Sequence, residues 1–174
     1  MSNFNAKIQE FEKYLENIAS FTIREALAQG ASEAEISLGG VTGLNVSSRD
    51  CDIENIEFNR DNGMDITVYC NKRRGRASTT DLSKEALKQC VCSAINIASF
   101  ADEDPDCGLC DKALQCTEFP DLDILFEPDS EPETAASYVV ELEKKAVAHL
   151  PAGIKASDGA SYSSNVYTNV FANS

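Results

Sequence analysis

The side chains of this chain that could carry chemistry are few and poorly grouped. One histidine is present, His149, in Ala148-His149-Leu150-Pro151 near the end of a helical pattern. There an imidazole interacts with the last free carbonyls of the helix. A zinc hydrolase centre takes three protein ligands, histidine among them, plus a water. No H-E-x-x-H pair accompanies His149. Cys107-Gly108-Leu109-Cys110 forms a C-x-x-C with Cys116 beyond it, but one such pair supplies half of a structural zinc set. Cys90 and Cys92 stand two apart on a helix and face different ways. The preceding strand and adjoining helix of a thioredoxin-type redox site are also missing, so the seven cysteines read as ordinary reduced thiols. Asp52 and Glu54 share one face of a strand and Glu57 takes the other, which reads as a wet sheet surface. No nucleophile elbow, Walker loop or dinucleotide glycine loop occurs. What remains is charge. Lys72, Arg73, Arg74 and Arg76 crowd into one hairpin of a chain whose net charge is −14. Solvated surface accounts for such a cluster, and so does contact with a negative partner or substrate.

The elements that position this hairpin can be read from periodicity. Phe4, Ile8, Phe11, Leu15, Ile18 and Ile23 or Ala26 recur at three- and four-residue steps and predict an amphipathic helix over 4–29, closed by Gly30. Strand patterns follow at 34–38 and 41–48, separated by Gly39-Gly40, with Leu44 and Val46 on one face. Residues 46–87 then predict a β-meander, with Ile53, Ile56, Phe58, Ile66, Val68 and Tyr69 interleaved with polar residues as in a half-buried sheet. Asp61-Asn62-Gly63 carries the composition of a tight hairpin turn, and the segment from Asn71 to Gly75 that of a second. Asp81 or Ser83 caps a helix over 83–100 whose inner side is Leu87, Val91, Ala94, Ile95 and Ala98. A proline-bearing acidic excursion leads to a third helix opened by Glu131-Pro132-Glu133. After Pro151 the tail is β-like, with Tyr162, Val166, Val170 and Phe171 among Ser, Thr and Asn, and its strands are expected to lack sheet neighbours within this chain. The expected fold class is α/β of the α+β kind: an antiparallel meander sheet covered by helices, with a truncated β-like carboxy-terminal segment.

The 43% hydrophobic content of 174 residues suffices for a real core. The charge balance argues against general nucleic-acid binding, which relies on Lys and Arg neutralising phosphates. Residues 101–145 hold 14 acidic residues against 3 lysines, a local balance of −11. No apolar run approaches the ~18 residues of a membrane span, and the first residues lack a secretory pattern. The expected location is the cytoplasm.

Separate pieces of this sequence occur in the order of one family. Glu54 to Asn59 (ENIEFN) precede the predicted hairpin, Gly75 to Leu82 (GRASTTDL) lead into the second helix, and Asp104 to Lys112 (DPDCGLCDK) follow it. With FPDLDIL and the tail GASYSSNVYTNVFANS, they resemble the amino-terminal part of the TldD/PmbA family, on its PmbA (TldE) branch. Cys107 and Cys110 stand where the family has other small residues. The resemblance implies an amino-terminal fragment: an α/β domain over 1–116, an acidic connector and helix over 117–150, and the start of a truncated β domain over 151–174. It also implies that the whole protein pairs with a TldD-like subunit. Together they form a cytosolic metalloprotease for peptides and unstructured polypeptides, with zinc held by the partner. No catalytic, cofactor-binding or metal residue carries over to this chain, and Lys72, Arg73, Arg74 and Arg76 are the candidate partner contact. The alternative is a non-enzymatic regulatory module of the DNA gyrase modulator kind. Neither reading expects direct nucleic-acid or membrane contact.

Overall fold

The computed structural model describes residues 3–116, 118–127 and 131–174, so Thr117 and Pro128 to Ser130 of the predicted acidic connector lie outside the described residues. In order, the elements are α1 (Asn3–Ala28), β1 (Glu33–Arg49), β2 (Asp52–Cys70), β3 (Arg73–Thr79), α2 (Lys84–Phe100), a 3-10 turn (Lys112–Leu114), α3 (Pro132–Val147) and β4 (Ser161–Asn173). The strands form one antiparallel sheet in the order β3-β2-β1-β4. By contact density the chain divides into two compact units. One takes Met1–Gly40, Asp61–Ile124 and Thr168–Ser174, and the other Val41–Arg60 and Leu125–Tyr167.

The first unit holds the larger core. In α1, Leu15, Ile18, Ala19, Thr22, Ile23 and Ala26 are buried, a stripe at helical spacing, and the Thr22 hydroxyl donates to the Ile18 carbonyl at 2.9 Å. The helix ends at Gly30 with φ +104°, where Ala31 N–H reaches Ala26 O at 3.0 Å and Gly30 N–H reaches Leu27 O at 3.1 Å. This crossed pair satisfies carbonyls that the last turn leaves free. Against the stripe lie Ala34, Ile36 and Leu38 of β1, Met64, Ile66 and Val68 of β2, and Leu87, Cys90, Val91, Ala94 and Ala98 of α2. Ser83 caps α2 by accepting from Ala86 N–H at 3.3 Å. In β3, Gly75 passes so close under α2 that a Cβ there would lie 1.9 Å from the Ala94 carbonyl oxygen.

The second unit has its own smaller core of Leu44, Val46, Ala135 and Val139, with Ala136, Ala160 and Tyr162 packed against it. Pro132 sits at the first position of α3, where its missing N–H costs nothing.

Three expectations are corrected. Asp61-Asn62-Gly63 is not a hairpin: β2 runs unbroken through it, and none of the three has a positive φ. The first turn of the meander is Asp50-Cys51, with φ of 54° and 60°. Ile53, Ile56 and Phe58 are exposed rather than half-buried, because neither hydrophobic cluster of the described residues extends to that half of β2. The tail, expected to lack sheet neighbours within this chain, is the single strand β4 beside β1; Val170 and Ala172 pack on the larger core, and Ser174 N–H donates to Ala34 O at 2.9 Å.

Candidate functional site

The basic hairpin is built by a two-residue turn. Asn71 and Lys72 have φ of 52° and 62°, the left-handed pair that matches the twist of the flanking strands. The register pairs Cys70 with Arg73, Tyr69 with Arg74, Val68 with Gly75 and Thr67 with Arg76. Alternation therefore puts Arg74 and Arg76 on the Tyr69 side, and Arg73 on the side that Gly75 presents to α2. Arg73 and the Arg74–Arg76 pair thus take opposite faces of the hairpin.

Two of the four cations are engaged by acidic neighbours. Arg73 Nη2 contacts Glu103 Oε1 at 3.0 Å, and Arg76 Nη2 contacts Asp65 Oδ1 at 3.0 Å. Both pairs are exposed, so each is worth no more than about 1 kcal/mol. At the tip, Lys72 O accepts from Asp104 N–H at 2.8 Å, and its Nζ reaches Cys107 O at 3.4 Å. Arg74 is exposed and has no ion pair among the described residues. It borders a cleft of about 350 Å³ with Tyr69, Asp102, Asp104, Asp106 and Cys107. Those three aspartates belong to the acidic stretch over 101–145, and the path of the loop after α2 brings them to Arg74.

The DPDCGLCDK loop is structural. Asp104 Oδ1 accepts from Asp106 N–H at 3.0 Å, Leu109 N–H donates to Glu33 Oε2 at 3.1 Å, and Asp111 Oδ1 accepts from Ala113 N–H at 3.0 Å. The Leu109 bond ties the loop after α2 to the start of β1, and the Lys72 contacts tie it to the β2–β3 turn. Beneath the loop, Tyr69 donates its hydroxyl to Glu35 Oε1 at 3.0 Å. Burial and that carboxylate push the phenol up to about 12. Burial likewise raises the Cys70 and Cys90 thiols, away from the thiolate a nucleophile needs.

A metal finds no donor set here. His149 Nδ1 lies 2.7 Å from Lys145 O, the helix-end interaction expected from its position. All seven cysteines are free thiols, and Cys116 Sγ donates to Glu118 O at 3.1 Å. Among the described residues no three His, Cys, Asp or Glu side chains gather as ligands. The described residues therefore do not fit zinc. No helix of the described residues is long and apolar enough to cross a membrane.

Comparison with known proteins places this arrangement. Residues 34–98 match the family described as PmbA/TldA metallopeptidase domain 1. Over 170 residues the chain is 35% identical to metalloprotease PmbA of Escherichia coli O157:H7, covering 97% of this chain and 37% of that protein. It is 36% identical over 172 residues to the metalloprotease PmbA homolog of Haemophilus influenzae, covering 99% and 38%. The chain thus spans little more than a third of these relatives' length. Its fold is that of a Bacteroides thetaiotaomicron protein described as a candidate modulator of DNA gyrase, with TM-score 0.75, 16% identity, and coverage of 91% of this chain and 36% of the other. TldE from Thermococcus kodakarensis superimposes with TM-score 0.58 at 17% identity, covering 91% and 36%. The chain belongs to the PmbA/TldD family, and residues 34–98 match the model of that family's first domain.

Proposed function

We propose that this chain is the amino-terminal part of a PmbA-type subunit that pairs with a TldD-like subunit in a cytoplasmic metalloprotease. Its substrates would be peptides and unstructured polypeptides, and its contribution assembly and part of the chamber wall. The observation that carries this reading is the 35–36% identity, over nearly the whole chain, to proteins named metalloprotease PmbA. Zinc belongs in this proposal to the TldD-like partner, and no step of hydrolysis is assigned to side chains of this chain. Lys72, Arg73, Arg74 and Arg76 are the proposed partner contact. Arg74 leads it, being the one of the four held by no carboxylate or carbonyl among the described residues.

Mixing the protein with its TldD-like partner tests the reading. A stable complex that cleaves an unstructured peptide, where neither subunit alone does, is the expected result. Charge reversal at Arg73 and Arg74 would slow association at low salt, with the difference shrinking as salt screens it. Normal cleavage by the partner alone would refute the pairing. The acidic stretch over 101–145 favours a second reading, a non-enzymatic binding module of the gyrase-modulator kind. Binding to gyrase without any partner-dependent cleavage would select it.

A further inference from the structure

On α3 the buried positions are Ala135, Val139 and Glu143, four residues apart, so a carboxylate stands where the apolar stripe calls for a third aliphatic side chain. Glu143 is 3% exposed. Its Oε2 is buried and has no hydrogen-bond partner among the described residues, nor does any cation among them pair with it. Glu143 lines a cavity of about 340 Å³ walled by Leu142, Val147, Leu150 and Ala160, with exposed Asp158 as the second acid. Asp158 Oδ1 accepts from Gly159 N–H at 3.0 Å within its own turn.

A buried, unpaired carboxylate is among the costliest groups a fold can hold, and a cation in the cavity would remove that cost. A bare divalent ion does not suit it. Calcium takes six to eight oxygens and magnesium a near-octahedral set, whereas two acids and an aliphatic wall are present. An anion is repelled by both acids. The complementary ligand is a cation on an apolar stem, with its methylenes against Leu142, Val147 and Leu150 and its charge at Glu143. We propose that this cavity binds a primary alkylammonium group, from the lysine side chain of another polypeptide or from a free alkylamine.

Amide-shift titrations of the 174-residue chain at constant ionic strength test this. The probes are n-butylammonium and Nα-acetyl-lysine amide, with n-butanol as neutral control. Saturable shifts confined to residues 142–161 are expected with a cation. E143Q and butanol should bind roughly tenfold more weakly, the worth of one charge-assisted hydrogen bond. Tighter binding of acetyl-lysine amide identifies a polypeptide side chain as the source, and tighter butylammonium a free amine. Should E143Q fail to fold, the exposed D158N carries the same comparison, with about threefold weakening expected. The proposal is overturned if neither cation saturates on the native chain, if butanol matches them, or if the folded variants bind as the native chain does.

Discussion

Replacing Gly75 by alanine tests how β3 and α2 meet. The added Cβ would lie 1.9 Å from Ala94 O, 2.6 Å from Ala98 N and 3.0 Å from Ala94 C. All three are helix backbone atoms, so no rotamer change relieves them. To restore an ordinary contact of about 3.4 Å, α2 must lift by about 1.5 Å, or β3 must drop away from it. Either motion loosens Leu87, Val91, Ala94 and Ala98, four of the most deeply buried residues in the larger core. Overpacking a core usually costs about 1–3 kcal/mol, and a clash with rigid backbone belongs at or above the top of that range. Gly63→Ala is the matched control: its nearest neighbour would be Thr79 O at 3.6 Å and its φ is not positive. That variant should be neutral or gain about 0.4–1 kcal/mol through a stiffer unfolded chain. Urea unfolding read by circular dichroism, with slopes compared to confirm a common transition, gives both numbers. Adding Ala94→Gly to Gly75→Ala should rescue nothing, since the offending atom is a carbonyl oxygen. Rescue by that double variant, or a Gly75→Ala cost within about 0.5 kcal/mol of zero, would refute the packing described.

Other perturbations have equally definite outcomes. Glu143→Leu should raise the melting temperature by about 2–4 °C per kcal/mol gained, with ~1 kcal/mol or more expected from removing an unpaired buried carboxylate; a lower melting temperature would contradict its lack of a partner. Ser83→Ala should cost about 0.5–1 kcal/mol in the same unfolding assay, because the α2 cap bond at 3.3 Å is long. The Tyr69 phenol, raised from 10.0 to about 12 first by burial and then by the Glu35 bond, favours the folded state while protonated. Its contribution is complete below pH 10 and lost as pH rises through about 12; phenolate absorbance in the ultraviolet should show one late-titrating tyrosine that Glu35→Gln shifts earlier. Reversal of Arg74 should leave unfolding within about 0.5 kcal/mol of native while slowing partner association at low salt.

The helices were legible because each carries a complete local message. Ser83 offers a cap, Pro132 a preset first turn, and Leu87, Val91, Ala94 and Ala98 recur at helical spacing. Turn chemistry was less faithful. Asn71-Lys72 turns as its composition suggests, whereas Asp61-Asn62-Gly63 stays extended although its residues suit a turn. A turn signal is permissive, and strand pairing decides whether it is used. Asp50-Cys51 folds back without any glycine, so propensity alone gave it little weight. The hairpin cations were legible as residues but not as partners. Their engagement with Glu103 and Asp65 depends on register and on the path of the loop after α2. Glu143 looked like one more charge in Glu-Leu-Glu-Lys-Lys. Its spacing of four from Val139 was the available signal, and only the packing of α3 makes it decisive.

The chain order of the first compact unit bears on how the protein reaches its native state. Its first and last segments stand more than half the sequence apart, and Ser174 closes on Ala34 across 140 positions. Contacts so distant impose a large loop-closure entropy before they repay it, which places folding toward the slow, non-local end of the single-domain range. During synthesis at ~5–20 residues per second, on the order of 10 s pass between the emergence of Ala34 and that of Thr168. Throughout that interval the edge of β1 that receives β4 is bare, and a nascent chain in this state is a natural client for a holdase.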